Sequence, residues 1–132
     1  MNTKTVALIF SAFIISLIFI QGKNPDKTSK HEAIDSIEFT ADVKAIIDQK
    51  CFGCHNLNSK NEKAKHKLKW DSLTLIPKAK QIAKLDKIIE VLDKGSMPPE
   101  KFLAYKPEGK LTEDEIKKLK EWADANAERL LK

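Results

Sequence analysis

Apolar residues recur every three or four positions in three parts of the chain, which is the spacing of amphipathic helices. The first part follows Thr40, a candidate N-cap, and runs to Lys50, next to a pair of cysteines. Its apolar face consists of Val43, Ile46 and Ile47. The pattern predicts a short helix that leads directly into the cysteine-containing stretch.

Two further helices are predicted downstream. One covers residues 78–94, begins after Pro77 and stops at Gly95, with an apolar stripe of Ile82, Leu85, Ile89 and Leu92. The other begins at Thr112, where Glu115 three residues later completes a capping-box pattern, and carries Ile116, Leu119, Trp122 and Ala123 at helical spacing. Because no stretch alternates like a strand, the sequence predicts an all-α fold with about three main helices joined by loops.

The chain also divides by composition. Residues 1–22 contain the apolar run VALIFSAFIISLIFI, which is shorter than the about 20 residues of a membrane span and is typical of an export signal. An uncleaved N-terminal anchor is the alternative interpretation. Residues 23–38 are polar and predict a flexible lead-in, so the folded domain is expected over residues 39–132. Both interpretations of the first segment predict a periplasmic location, with a membrane tether only if the segment stays attached.

The charge of the chain is moderately positive. The 132 residues include 24 Lys and Arg against 19 Asp and Glu, for a formal net charge of +5. Basic and acidic residues alternate in stretches such as KLTEDEIKKLKEW, which is typical of a solvated surface. No basic groove with interleaved aromatic residues is evident, so a nucleic-acid partner is not expected.

The stretch CFGCH contains Cys51, Cys54 and His55, and the chain has no other cysteine. A structural zinc site needs four ligands, usually in two pairs, and a second pair is missing. A redox dithiol normally occurs in a context with strands, and a structural disulfide leaves the histidine without a role. Cysteines and histidine at this spacing are instead the attachment sequence of c-type haem.

Haem assigns a role to each of the three side chains. On one turn of helix they share a face, so both sulfurs can form thioethers with the haem vinyl groups while His55 binds the iron. One such motif predicts one covalent haem c per chain. The other ring nitrogen of His55 should bond to a backbone carbonyl, for which that of Pro77 is one candidate.

The sixth iron ligand is predicted to be Met97. It lies in KGSMPPEKF, between the helix stop at Gly95 and the stiff pair Pro98 and Pro99, a setting that can hold a thioether against a metal. A methionine that fills a gap in the core is the alternative. The rival ligands are His66, His31 and a vacant or water-bound position.

In these motifs the chain resembles the haem-binding domain family of small bacterial monohaem c-type cytochromes. The resemblance is carried by CFGCH and by GSMPPEKFLAYKPEGKLTEDEIKKLKEWA, and it covers about residues 40–127. It implies thioethers at Cys51 and Cys54, with His55 and Met97 as the two iron ligands. The chain departs from the family in its compact, lysine-rich region between the motif and MPP, where Trp70 is the only aromatic residue. Residues suggested for the haem pocket are Leu68, Trp70 and Pro98, with core packing as the alternative for Trp70.

Haem iron with both a His and a Met ligand has no open coordination position for a substrate, which favours electron transfer over catalysis. The sequence thus predicts an electron carrier and not an enzyme, with protein redox partners that have acidic docking surfaces. The alternatives are a haem domain that senses or binds a small ligand through a displaceable Met97, and a small peroxidase with His66 over an open iron.

Overall fold

The three apolar patterns form the three longest helices of the computed structural model, which describes residues 36–132. Within this range every regular element is helical, so the all-α prediction is confirmed. In chain order the α-helices are α1 (Ala41–Lys50), α2 (Glu62–Lys67), α3 (Lys78–Asp93), α4 (Glu100–Leu103) and α5 (Glu113–Leu131). Two 3-10 helices, Trp70–Leu75 and Pro107–Gly109, lie between them. The sequence patterns did not predict α2 and α4, because neither helix contains a buried residue.

The helix ends follow the predicted signals at α3 and α5 but not at α1. The Thr112 amide donates to Glu115 Oε2 at 2.8 Å and the Glu115 amide donates to Thr112 Oγ1 at 3.2 Å, which completes the capping box. At the end of α3, Gly95 has φ +58°, a left-handed conformation that suits glycine. Thr40 stands at the N-cap position of α1, but its hydroxyl donates to Asp42 Oδ1 instead of capping the helix.

The core is formed chiefly by α3 lying along α5, with α1 packed against α5 as well. The face of α3 that is buried differs from the predicted stripe, because Ile88 is buried while Ile82 and Ile89 are only partly buried. The side of α3 that faces the core is therefore centred on Leu85, Ile88 and Leu92. Trp122 of α5 is buried, as predicted for a core residue, and its ring stacks on Phe39 at 5.1 Å between centroids.

The packed domain begins earlier than residue 39. Ile37 is buried, and its amide donates to Oε1 of the buried Gln81 at 3.3 Å. The Glu38 amide donates to Asn126 Oδ1 at 2.8 Å, and the Glu38 carbonyl accepts from Trp122 Nε1 at 2.7 Å. Residues 36–38 are thus part of the fold, which includes three positions before the predicted domain start at residue 39. Their polar contacts to distant helices leave no periodic signal in the sequence.

The remaining predictions about the N-terminal part concern residues outside the described range. These are the export signal or anchor at residues 1–22, the lead-in up to residue 35, and His31. Among the helices of residues 36–132, none has both the length and the apolar character required to span a membrane.

Candidate functional site

The cysteine motif begins where α1 ends. The Cys51 amide donates to the Ile47 carbonyl at 2.9 Å, and the Cys51 carbonyl accepts from the amides of Cys54 and His55, both at 3.1 Å. The predicted turn of α-helix is therefore a hydrogen-bonded turn just beyond the helix. The bonds from Cys54 and His55 back to Cys51 preserve the three- and four-residue spacing that places these residues on one side of the turn.

The two thiols are both partly buried and are not joined in a disulfide. Cys51 packs against the hydrophobic core, and burial raises the pKa of its thiol to about 11, with the nearby Glu115 and Cys54 adding to the effect. Within residues 36–132, no group of three or more His, Cys, Asp or Glu side chains is arranged to hold a metal ion. The three side chains of the motif therefore do not converge on one point as zinc ligands do.

The imidazole of His55 is held by the backbone of α2. Its Nδ1 lies 3.1 Å from the carbonyl oxygen of Ala64 and 3.3 Å from that of Leu68. Carbonyl oxygens only accept hydrogen bonds, so Nδ1 is the donor, and the tautomer with its proton on Nδ1 has an unshared electron pair on Nε2. The suggested partner, the carbonyl of Pro77, is not the one observed. An oriented imidazole with a free Nε2 is what a metal ligand requires.

The segment after the motif folds back onto it and fixes this arrangement. The Trp70 amide donates to the His55 carbonyl at 3.0 Å, and the Leu57 amide donates to Asp71 Oδ2 at 2.9 Å. The intervening helix α2 is capped by Asn61, whose Oδ1 accepts from the Ala64 amide at 3.0 Å. Both the ring and the backbone of His55 are therefore anchored to residues 61–71.

Met97 lies in the loop between α3 and α4. The loop starts with a Schellman motif, in which the Gly95 amide donates to the Leu92 carbonyl at 3.1 Å and the Ser96 amide to the Val91 carbonyl at 3.0 Å. It ends at Pro99, the extended residue before α4. The Met97 side chain is 37% exposed, so the core alternative does not describe its position.

Lys50 connects the cysteine motif to the chain that follows the Met97 loop. Its Nζ donates to the carbonyl of Glu108 at 2.5 Å and to that of Lys110 at 3.2 Å. The 3-10 helix that contains Glu108 packs against α4, where the Phe102 ring closely approaches Gly109. Because Lys50 immediately precedes Cys51, the segment downstream of Met97 is tied to the start of the motif.

The residues suggested for the haem pocket and the rival ligand His66 differ in how far they are buried. Trp70 is buried, with its ring centroid 6.4 Å from that of Phe39 and 6.0 Å from that of Trp122. Its Nε1 is buried and has no hydrogen-bond partner among the described residues. Leu68 is partly buried against the core and Pro98 is partly buried in the Met97 loop. A role for these three residues at the haem stays a prediction, whereas His66 is exposed on α2.

The structure adds two functional groups that sequence reasoning did not identify, the carbonyl oxygens of Ala64 and Leu68. Every residue has a carbonyl, so neither residue type gave a signal. The sequence feature that could have located them is Asn61 before Glu62, a helix-start pattern that places a short helix opposite the motif.

The donor set fits a covalently attached haem. Two thiols on one turn and an imidazole with a free Nε2 supply the two attachment points and the iron ligand that c-type haem needs. Comparison with known proteins supports haem binding, since a family model described as a haem-binding domain matches residues 56–125, more than half of the chain. No curated protein and no solved structure matches the chain.

Proposed function

Because the chain belongs to the haem-binding domain family, we propose that it is an exported monohaem c-type cytochrome that carries single electrons between proteins. The observation that carries this proposal is the imidazole of His55. Its Nδ1 is bonded to the carbonyl of Ala64 in α2 and to that of Leu68, the C-cap of α2, and its Nε2 has no hydrogen bond to any residue that the structure describes. Such an anchored ring keeps its orientation when the iron changes oxidation state. Electron transfer is faster when the iron ligands rearrange little between the two oxidation states.

In this proposal Cys51 and Cys54 form the covalent bonds to the haem, and His55 is the proximal ligand. The family match begins at residue 56, directly after the motif, so the attachment residues are argued from their chemistry and geometry. When bound, haem supplies a one-electron couple between ferrous and ferric iron. The chain would hold the group at two sulfurs and orient His55.

Met97 is proposed as the distal ligand. The Schellman motif before it and the two prolines after it restrict its loop, which supports a fixed thioether. The position of His66 argues against it as the distal ligand. His66 belongs to α2, whose carbonyls lie at Nδ1 of His55, and the iron must bind at the opposite nitrogen of that ring. A residue of α2 therefore lies on the side of the imidazole away from Nε2, which argues against His66 as the second iron ligand.

One observation favours the alternative function of a ligand-binding or sensing domain. Met97 lies in the loop between α3 and α4 and not on a helix, a position from which a weak ligand can be displaced. The two functions differ in the stability of the bond between Met97 and iron. An electron carrier keeps this bond in both oxidation states, whereas a sensor releases it to admit a small gas.

The distinguishing experiment is spectroscopy of the haem-loaded protein with and without carbon monoxide. The ferric protein should show the far-red band of methionine-ligated iron, and the ferrous protein should stay low-spin and bind carbon monoxide slowly. Met97→Ala should lose the far-red band, lower the reduction potential and bind carbon monoxide rapidly, while both thioethers remain. The matched control is His66→Ala, which should resemble the wild type.

Opposite results identify the alternatives. If His66→Ala opens the iron and Met97→Ala does not, His66 is the distal ligand. If the wild type binds carbon monoxide rapidly and tightly, the sensing function replaces electron transfer. The periplasmic location is part of the same proposal, because covalent haem attachment fits an exported chain, and cell fractionation tests it.

A further inference from the structure

The positive charge of this protein is concentrated in one part of its chain. Residues 57–85 contain eight lysines and only two acidic residues, Glu62 and Asp71. Residues 86–132 are nearly balanced, with ten basic and eleven acidic residues. The excess of positive charge is therefore a local property of the region that follows the cysteine motif, and not a general property of the surface.

Helix α2 presents much of this charge to solvent. Lys63 and Lys67 on the helix and Lys60 just before it are exposed, and none of the three side chains has an ion-pair partner among residues 36–132. The two acidic residues are engaged elsewhere. Glu62 accepts from Lys65 Nζ at 2.5 Å, and Asp71 accepts from the Leu57 amide at 2.9 Å. The helix buries no residue of its own, so its charged side is open to a partner.

Helix α3 extends the positive surface. Lys84 Nζ donates to the Lys67 carbonyl at 2.5 Å, which places the first turns of α3 beside the end of α2. Lys80 precedes Lys84 by four residues and therefore lies on the same side of the helix. The basic face is defined here as Lys60, Lys63, Lys67, Lys80 and Lys84.

The basic face is also directly coupled to the proximal side of the proposed haem site. The carbonyls of Ala64 and Leu68 hold His55 Nδ1. The exposed Lys63 immediately precedes Ala64, and the exposed Lys67 immediately precedes Leu68. A single hydrogen bond thus separates the imidazole from the segment that carries the lysines. A molecule bound to this segment lies next to the residue that binds the iron.

We infer that the basic face is the docking surface for an acidic redox protein, which exchanges electrons with the haem across α2. The inference rests on the proposed electron-transfer function and specifies its partner and its place of contact. Complementary charges steer association and align the partners, an effect that salt weakens. An acidic protein is favoured over an anionic membrane because the lysines surround the segment that holds His55, and a lipid headgroup accepts no electron.

The test compares two variants of the full haem-loaded chain that have the same net charge. The first is Lys60→Glu with Lys63→Glu and Lys67→Glu, which reverses charge on α2. The control is Lys101→Glu with Lys106→Glu and Lys132→Glu, which are exposed lysines outside the basic face. Oxidation of the reduced proteins by hexacyanoferrate, an anion, is followed by stopped flow at about 0.01 M and about 1 M salt. A cationic cobalt phenanthroline complex is the second oxidant.

The first variant should react with hexacyanoferrate roughly tenfold more slowly than the wild type at low salt, and the control should stay within about twofold. The cationic oxidant should react faster with the first variant. At about 1 M salt the three proteins should converge, since the Debye length falls to about 3 Å. Equal slowing of the two variants would mean that only net charge matters, and the docking inference would then be wrong. Failure of both oxidants to react with any of the three proteins would instead contradict the electron-transfer function.

A second measurement separates a protein partner from a membrane. Electron exchange with a carboxylate-terminated monolayer on gold represents an acidic protein surface, and sedimentation with phosphatidylglycerol vesicles represents a lipid surface. The first variant should lose exchange with the monolayer while the control retains it. If the first variant loses only vesicle binding and its exchange with the monolayer is unchanged, the basic face binds lipid and the inference is overturned.

Discussion

The Nδ1 atom of His55 lies 3.1 Å from the carbonyl oxygen of Ala64, and the amide of that same Ala64 bonds to the Asn61 side chain. The orientation of the proposed iron ligand therefore depends on a six-residue helix that has no buried residue. Isolated helices of this length are unstable, so α2 relies on its cap and on its contacts with the motif. Asn61 is consequently important to His55 although the two side chains share no contact that the structure describes.

Loss of the Asn61 cap should loosen both α2 and the imidazole. We expect Asn61→Ala to lower the free energy of unfolding by about 1 kcal/mol, because the Ala64 amide loses its acceptor. Asn61→Asp keeps a capping oxygen and is the matched control. In NMR spectra of the reduced haem-loaded protein, the His55 Nδ1 proton should exchange faster with solvent in Asn61→Ala than in Asn61→Asp. Equal exchange rates would show that the Leu68 carbonyl holds the ring without help from the cap.

Covalent attachment should depend on both cysteines of the motif. Cys51→Ser with Cys54→Ser, expressed with intact attachment machinery, should release all haem on acid–acetone extraction, because these are the only thiols of the chain. Each single variant should keep one thioether, and the wild type should have the mass of the processed chain plus one haem. Haem that stays with the double variant after extraction, or a mass with two haems, would contradict this prediction.

The left-handed conformation of Gly95 should be required for the Met97 loop. Gly95→Ala places a β-carbon at φ +58°, which should cost about 1 kcal/mol even though nothing lies within 4 Å of the new atom. Gly95→Asn should cost less, because asparagine tolerates this conformation better. Chemical denaturation measures the stability, and the far-red band measures methionine ligation at the same time. A Gly95→Ala variant as stable as the wild type would show that the loop can adopt another turn.

The interface between α3 and α5 should dominate the stability of the domain. Leu85 is fully buried, and Leu85→Ala should lower the free energy of unfolding by about 2–5 kcal/mol through lost burial and a residual cavity. Leu75→Ala makes the same chemical change at a leucine that is 80% exposed, and it should stay within about 0.5 kcal/mol of the wild type. Urea denaturation of the haem-loaded proteins provides the comparison. Similar losses in both variants would contradict the packing described here.

The two tryptophans of the aromatic cluster should respond differently to the same substitution. Trp122 Nε1 donates to the Glu38 carbonyl at 2.7 Å, whereas Trp70 Nε1 is buried without a partner among the described residues. Trp122→Phe should therefore destabilise the haem-loaded protein by about 1 kcal/mol more than Trp70→Phe, which removes an unsatisfied donor. Both substitutions delete the same atoms, so each is the control for the other. The reverse order would show that Trp70 Nε1 finds an acceptor when haem is bound.

The sequence by itself determined the features that depend on residues close together along the chain. Apolar spacing gave the three main helices, and Thr112 with Glu115 gave the start of α5. The CFGCH motif predicted a haem cofactor, and the family match supports haem binding. These features could be predicted because helix periods, caps and attachment motifs are defined by side chains within a few turns of one another.

The tertiary structure decided what depends on contacts between distant segments. It assigned His55 Nδ1 to the carbonyls of Ala64 and Leu68, and it brought residues 36–38 into the fold through Gln81, Trp122 and Asn126. It also placed Trp70 in the aromatic cluster and a lysine-rich helix beside the motif. Backbone carbonyls are the same in every residue, and a short helix that buries nothing has no apolar period. Only the path of the chain in space could therefore reveal these contacts.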